Sequence, residues 1–211
     1  MEEKKADPLV AEEKPGLKKT YPECVTPEDV LLLEHPTESF LCPMKANVFG
    51  IKFGAYKIRD IDTNVTLFEI KNEEEITEEE MEQMNELDDD EFRLIRYSFG
   101  PKFLDIKIIG TTLEFTIGGK ALKSFRMIER HYFKDKLLRS YDFDFGFCIP
   151  GSTNTWEAIY ELPEIKTEKR EEIITNPWET KSDSFYFVEG KLVMHHKAEY
   201  NYAEEADPLF I

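Results

Sequence analysis

The stretch Ser124–Glu161 decides the fold, and it reads SFRMIERHYFKDKLLRSYDFDFGFCIPGSTNTWEAIYE. It predicts two long strands joined by a short polar turn. Because alternate residues of a strand share a side, one face of the first strand carries Phe125, Met127, Glu129, His131 and Phe133. A carboxylate and an imidazole therefore lie among apolar side chains, where burial is costly unless something bonds them.

The same alternation divides the other residues of the two strands. The second face of the first strand carries Arg126, Ile128, Arg130 and Tyr132. The second strand places on one side Tyr141, Phe143, Phe145, Phe147 and Ile149, and on the other Ser140, Asp142, Asp144, Gly146 and Cys148. For Glu129 and His131, two interpretations stay open. They bond each other in the core or stay exposed, or they line a cavity that takes a partly polar guest.

Length and charge limit the class of protein. A chain of 211 residues suits one domain with a substantial core. The formal net charge of −17 makes nucleic acid and anionic membranes poor partners. We find no apolar N-terminal segment typical of secretion and no apolar run of about 18 residues that could span a bilayer. We therefore expect a cytoplasmic protein without stable membrane insertion, whose Cys24, Cys42 and Cys148 are reduced thiols.

The chain divides into two tails and one domain. Residues 1–20 alternate charges with Ala, Pro and Gly, which predicts a disordered N-terminal tail. Residues 21–202 form the predicted domain, and residues 203–211 a C-terminal tail. Within the domain, Thr26 and Pro27 predict the start of one short helix, because a capping hydroxyl precedes a proline suited to the first turn.

A period of two along the domain predicts many short strands. Besides the two long ones, we expect strands at 48–60, 65–71, 92–99, 101–109, 112–117, 155–162, 182–188 and 191–202. Gly110 is expected to break one strand, and Gly118-Gly119 to make a hairpin turn into the long strands. Residues 164–175 are helix-capable. Few helices and no βαβ rhythm indicate an all-β sandwich.

Residues 72–91 interrupt the strands with twelve acidic residues and no basic one. Ile76, Met81, Met84 and Leu87 could form a weak helical stripe, but like charges oppose it. We interpret the segment as a solvated acidic insertion loop, with a site for cations or a basic partner as the alternative.

No pattern in the chain predicts catalysis, a cofactor or a metal. The nucleophile elbow, the P-loop, the dinucleotide fingerprint and paired C-x-x-C motifs are all missing. His195 and His196 are adjacent in a strand, so they point to opposite faces and cannot chelate one ion together. Glu129 and His131 could act as an acid–base pair, but no further catalytic group accompanies them, and we expect no enzyme. Most of the 16 Phe, 9 Tyr and 2 Trp lie in strands, where they form a core or line a tunnel.

Four blocks of the sequence resemble the uncoordinated-type (unc-one-nineteen) lipid-binding chaperones. The blocks are Phe125–Phe133, Tyr141–Pro150, Ser182–Val188 and Leu192–Tyr200. These chaperones are relatives of the prenyl-binding delta subunit of GMP phosphodiesterase and, more distantly, of the Rho GDP-dissociation inhibitors. The resemblance extends from about Thr26 to Tyr202.

The resemblance implies an immunoglobulin-like β-sandwich with an internal hydrophobic tunnel. That tunnel would take the N-terminal myristoyl group of cargo proteins, such as G-protein α subunits and ciliary proteins. The resemblance also implies a carrier without enzymatic activity, unloaded by an Arf-like small GTPase in its GTP state and often serving a cilium. Two alternatives remain, a carrier of prenylated cargo on the same fold and an adaptor that binds proteins without lipid.

The resemblance also places the tunnel on eleven positions. They are Tyr56, Ile58, Tyr97, Phe103, Ile109, Glu129, His131, Tyr141, Tyr160, Leu162 and Tyr186. Strict alternation groups Phe103 and Ile109 with Asp105 and Lys107, so both face inward only if a bulge or a late strand start intervenes. Glu129 and His131 are expected to bond the amide that a myristoyl group has and a prenyl thioether lacks.

Overall fold

In the computed structural model, which describes residues 19–71, 77–162 and 164–203, nine strands form two sheets. The four-stranded sheet has the order β2-β1-β4-β7 and consists of β1 (Lys52–Asp60), β2 (Thr66–Lys71), β4 (Ile108–Thr116) and β7 (Thr153–Glu161). The five-stranded sheet has the order β3-β9-β8-β5-β6 and consists of β3 (Leu94–Ser98), β5 (Leu122–Phe133), β6 (Lys136–Cys148), β8 (Thr180–Val188) and β9 (Lys191–Asn201). Pairs are antiparallel except β3 with β9. The predicted β-sandwich is confirmed.

Three α-helices accompany the sheets in the described residues: α1 (Pro27–Leu31), α2 (Glu78–Leu87) and α3 (Thr167–Ile174). The predicted cap of α1 is present, since the Thr26 hydroxyl accepts from the Asp29 N–H at 3.3 Å and Asp29 accepts from the Thr26 N–H at 2.8 Å. The predicted tails lie outside the described residues, apart from residues 19, 20 and 203.

The acidic segment folds differently from the prediction of a loop. Thr77 and Glu80 form a second reciprocal cap, and helix α2 follows. Met84 is half-buried on its inner side. Asp88 ends the helix in a left-handed conformation, with φ of 47°, and accepts from the Met44 N–H at 2.9 Å. The interpretation as a solvated loop was therefore wrong for 78–88, because local caps and anchoring contacts oppose the charge repulsion.

The N-terminal segment covers the outer face of the five-stranded sheet. Val25 and Val30 pack against Ile128, Phe185 and Phe187, and all five are buried. Consequently this part of β5 and β8 is buried on both faces, which explains why Ile128, Phe185 and Phe187 are apolar although they lie on the outer face.

A buried polar network fastens that segment to the sheet. Asp183 and His195 are completely buried and lie 3.1 Å apart, from Oδ1 to Nε2. Asp183 accepts from the Thr37 N–H at 2.9 Å and from its hydroxyl at 3.0 Å. The Leu41 N–H donates to His195 Nδ1 at 3.0 Å, so His195 is neutral with its proton on Nε2. Lys197 lies 3.4 Å from Asp183 and adds a positive charge.

Three sequence-based boundaries were wrong. Residues Pro101–Asp105 form a 3-10 turn, so β4 begins late, and Gly110 lies inside it. Residues 118–119 do not make a hairpin, because β4 and β5 belong to different sheets and the chain crosses between them. Gly118 is needed there, since its N–H donates to the Phe49 carbonyl at 3.0 Å and an added Cβ would lie 2.6 Å from that oxygen.

The alternation predicted for β6 fails after Phe145. Gly146 has φ of 71° and its N–H donates to the Asp144 carboxylate at 2.8 Å, so the strand changes face there. Cys148 is therefore buried, whereas Phe147 and Ile149 are 63% and 62% exposed.

We predict that Asp183→Ala lowers the free energy of unfolding by about 3–5 kcal/mol, because it leaves His195 and the Thr37 N–H without their acceptor and removes the negative charge beside Lys197. Chemical denaturation measures the change. The exposed Arg126–Asp142 pair supplies the control, and Asp142→Ala should cost about 0–1 kcal/mol. Equal losses in the two variants would contradict the role given to the network.

We also predict that acid loosens the N-terminal segment. Burial lowers the pKa of His195, although Asp183 opposes the shift, so the unfolded state takes up a proton first. The stability that His195 contributes is present above its unfolded pKa of about 6.5 and is lost as the pH falls through the lower folded value. Hydrogen exchange at the Leu41 amide should therefore show less protection, corrected for intrinsic rates, at pH below about 6. Unchanged protection would contradict this assignment.

Candidate functional site

A cavity of about 370 Å³ lies between the two sheets. We call it the central cavity, and its volume falls in the range of small-ligand pockets. Packed core fills the sandwich at one end, where the Phe115 and Phe125 rings lie 5.5 Å apart. Aromatic pairs join the sheets at both open sides: Phe68 with Tyr97 at 5.1 Å, and Tyr141 with Tyr160 at 4.6 Å.

Every one of the eleven positions named from the resemblance lines the central cavity. They are Tyr56, Ile58, Tyr97, Phe103, Ile109, Glu129, His131, Tyr141, Tyr160, Leu162 and Tyr186. The late start of β4 explains how Phe103 and Ile109 both reach the cavity despite the alternation problem. Phe103 comes from the 3-10 turn before the strand, and Ile109 from the strand itself. Their role in binding a lipid stays a prediction.

The five-stranded sheet presents its side chains to the cavity in rows that follow from the strand register. The rows are Phe143–Met127–Tyr186, then Tyr141–Glu129–Ser184, and then Arg139–His131–Ser182. The first row is largely apolar, and the next two carry the ionisable and hydroxyl groups. A ligand in this cavity therefore meets polar atoms within a short length of an otherwise aromatic and aliphatic wall.

Glu129 and His131 contact each other inside the cavity. Glu129 Oε1 lies 3.1 Å from His131 Nε2, and the side chains are only 18% and 16% exposed. The two side chains therefore contact each other and also line a cavity, whereas simple exposure was wrong, and a partly polar guest stays a prediction. A carboxylate offers about four lone-pair sites. The contact with His131 leaves acceptor sites for a ligand N–H.

The tyrosines around Glu129 are held in their protonated form. Burial raises the pKa of Tyr97 and Tyr186, and the negative charge of Glu129 raises both further. Burial also raises the pKa of Tyr160, and the negative charge of Glu129 raises it further. These phenols therefore remain O–H donors at neutral pH, available to a ligand carbonyl.

Sequence reasoning missed several lining residues. His196 lines the cavity, and burial lowers its pKa to about 4, so it is neutral at pH 7. Arg139 also lines it, with a buried Nε that has no hydrogen-bond partner among the described residues. The strand pattern of the sequence could have identified both residues as facing the cavity. His196 was expected to face away from His195, and Arg139 lies two residues before Tyr141 on the same strand face.

The lining of the cavity extends along the strands. Along β1 its lining extends from Phe53 to Ile58, a span of about 17 Å at the usual rise per residue. Beyond the first row the core closes the space, whereas past the third row the lining continues to Tyr97, Phe103 and Leu162. An alkyl chain whose polar end lies at Glu129 would therefore extend toward these three residues.

Other site types are not found in the described parts of the chain. Within residues 19–71, 77–162 and 164–203, no cluster of three or more His, Cys, Asp or Glu could hold a metal ion. Across the same residues, no helix has the length and apolar character needed to cross a membrane.

Comparisons with known proteins identify the family of this chain. The sequence profile of the family described as GMP-PDE, delta subunit, matches residues 45–202. Protein unc-119 homolog B-A of Xenopus laevis is 52% identical over 176 residues, which cover 83% of this chain and 73% of that protein. Protein unc-119 of Caenorhabditis elegans is 51% identical over 178 residues, with 84% and 80% covered. Protein unc-119 homolog B of Homo sapiens is 48% identical over 180 residues, with 84% and 72% covered.

These matches cover most of the chain at about half identity, and the profile spans the whole cavity-forming sandwich from before β1 to the end of β9. The chain therefore belongs to the GMP-PDE delta-subunit family and is, within it, a protein of the unc-119 type.

Proposed function

We propose that this protein is a carrier that encloses the N-terminal myristoyl group of cargo proteins and delivers them. The observation that carries the proposal is the central cavity, which joins a long apolar lining to the Glu129–His131 pair. Membership of the family supports a non-catalytic, lipid-binding protein of trafficking. The proposed cargo consists of G-protein α subunits and ciliary proteins. The proposed release factor is an Arf-like small GTPase in its GTP state. The proposed locations are the cytoplasm and the cilium.

The free energy of burying an acyl chain is sufficient for such a carrier. At about 0.8 kcal/mol per CH₂, a fully buried myristoyl chain gains on the order of 10 kcal/mol. A single myristoyl chain gives only marginal, reversible binding to a membrane. An enclosed cavity can therefore compete with the bilayer for the same chain.

The polar rows favour an amide-linked acyl chain over a prenyl thioether. A myristoylated glycine carries an amide N–H, which the Glu129 carboxylate could accept, and a carbonyl, to which Tyr186 could donate. A thioether offers no N–H, so Glu129 would be desolvated against it without compensation. The carboxylate thus favours the myristoyl ligand and penalises the prenyl ligand.

We predict that the purified protein binds a myristoylated peptide more tightly than a farnesylated one. Glu129→Leu should weaken the myristoyl peptide about tenfold, the usual effect of a lost hydrogen bond to a charged group, and should leave the farnesyl peptide no weaker. Titration calorimetry or fluorescence polarisation measures both affinities. Glu164→Leu, at an exposed position, is the matched control.

Tighter binding of the farnesyl peptide would assign the protein to prenylated cargo instead. The variants Tyr97→Ala and His131→Ala test whether the cavity is the binding site at all. If both stay folded by circular dichroism and bind the myristoyl peptide as well as the parent, or if neither lipid binds the parent, a surface adaptor explains the protein better.

Release requires a second state of the cavity. A ligand shifts an equilibrium only by its differential affinity for the two states, so the GTPase must bind better to a form that holds the acyl chain less well. We predict that an Arf-like GTPase loaded with a GTP analogue lowers the affinity for the myristoyl peptide by about 5–150-fold. Linkage requires the peptide to weaken GTPase binding by the same factor. The GDP form serves as the control, and unequal factors or an equal effect of GDP would contradict the mechanism.

A further inference from the structure

One arginine lines the central cavity among its aromatic and aliphatic side chains. Arg139 lies in the third row of the five-stranded sheet, opposite His131 on the neighbouring strand. Its side chain is half-buried, and its guanidinium keeps a positive charge at every pH at which the protein is folded. The wall of a largely apolar space therefore contains a fixed positive charge.

Arg139 has no carboxylate partner in the part of the chain that the structure describes. Nη1 donates to the Tyr141 hydroxyl at 3.3 Å, and Nε is buried without an acceptor. Nη2 also lacks an acceptor among these residues, but it is not buried, so its N–H groups stay available to a ligand. The other basic residue of the lining besides the histidines, Lys197, lies 3.4 Å from Asp183. Lys197 is thus offset by an acid, whereas Arg139 is not.

The charge of Arg139 acts on tyrosines at both walls of the cavity. Tyr160 belongs to β7 of the four-stranded sheet, and Tyr202 follows β9 of the five-stranded sheet. Burial raises the pKa of both phenols, and the positive charge of Arg139 opposes both shifts. The guanidinium therefore acts on groups that line the cavity from either sheet.

The acid of the cavity is bonded to a different partner. Glu129 lies in the second row, and its Oε1 contacts His131 Nε2 at 3.1 Å. Glu129 pairs with Tyr141, so Arg139 is its diagonal neighbour on β6, and such neighbours lie about 7–8 Å apart. An anionic group bonded to Arg139 therefore meets the positive charge directly and the negative charge of Glu129 only at a longer distance.

We infer that the central cavity also binds free long-chain fatty acids, whose carboxylate bonds to Arg139 and whose alkyl chain lies on the apolar lining. Hydrogen bonds between a guanidinium and a carboxylate are roughly twice as strong as those between neutral groups. Both kinds of ligand fill the same apolar space, so a fatty acid competes with acylated cargo. The inference goes beyond the proposed function, because it needs the cavity but no acylated protein.

Two ligands with the same alkyl chain test the inference, myristate and myristyl alcohol. At about pH 8 the carboxylate is ionised. Protein freed of copurified lipid should then bind myristate about tenfold more tightly than the alcohol, as expected for a hydrogen bond between charged groups. Titration calorimetry measures both affinities. Myristate should also displace a fluorescent myristoylated peptide from the protein at lower concentration than the alcohol does.

Variants of Arg139 assign the preference to its charge. Arg139→Gln should weaken myristate about tenfold and should weaken both the alcohol and the myristoylated peptide much less. Arg139→Lys keeps the charge and should retain part of the preference, although it loses the planar donor geometry. Lys136→Gln is the matched control, since it removes the same charge at an exposed position at the start of β6. It should keep the full preference for myristate.

Three outcomes would overturn the inference. They are equal affinity of the parent protein for the two ligands, an equal loss of both ligands in Arg139→Gln, and the same loss of preference in Lys136→Gln. The ligand pair on the parent protein decides the inference even if a variant fails to fold.

The inference and the proposed function can fail separately. If the parent protein binds the myristoylated peptide but not myristate, the inference fails and the proposed function stands. If it binds myristate with the stated preference but not the peptide, the inference stands and the proposed function fails.

Discussion

Aromatic contacts along the two open sides of the sandwich hold the sheets together without filling the space between them. Phe68 meets Tyr97 on one side and Tyr141 meets Tyr160 on the other, while the packed cluster around Phe115 and Phe125 closes one end. Large rings can bridge two sheets from their edges, which shorter side chains at the centre could not do. The central cavity, its apolar length and its access all depend on this arrangement.

Burial of polar groups in the cavity costs free energy unless those groups find bonding partners. Glu129 and His131 are tolerated among aromatic side chains because they contact each other and keep acceptor and donor capacity for a guest. The neighbouring tyrosines stay protonated, so the polar rows hold one negatively charged acceptor among several O–H donors. That combination complements an amide more closely than it complements an apolar chain alone.

On the outer face, the Asp183–His195 network has a different role. Its acceptor atoms are bonded by Thr37 and Leu41 of the N-terminal segment, so the network fastens that segment to the sheet.

The alternation of side chains along the strands predicts much of the fold, but it does not predict the positions at which the alternation breaks. Alternation alone placed Met127, Glu129 and His131 on one face and Ile128 on the other, and it separated His195 from His196. It failed at Gly146, where a left-handed glycine reverses the faces, and at Gly118, whose turn leads into the other sheet. Neither event leaves a mark in hydrophobic periodicity, because each depends on backbone conformation and on contacts distant in the sequence. The sequence contains the capping pattern of Thr77 and Glu80, but the high negative charge of the segment led to the prediction of a loop.

We propose that the sandwich is hollow because it encloses a saturated acyl chain. A crystal structure of the protein with a myristoylated peptide tests it most directly. We expect continuous density for the acyl chain between the sheets, running from Glu129 toward Phe103 and Leu162, with the amide beside the Glu129 carboxylate. Density for the acyl chain on the outer surface, with side chains collapsed into the central cavity, would contradict it.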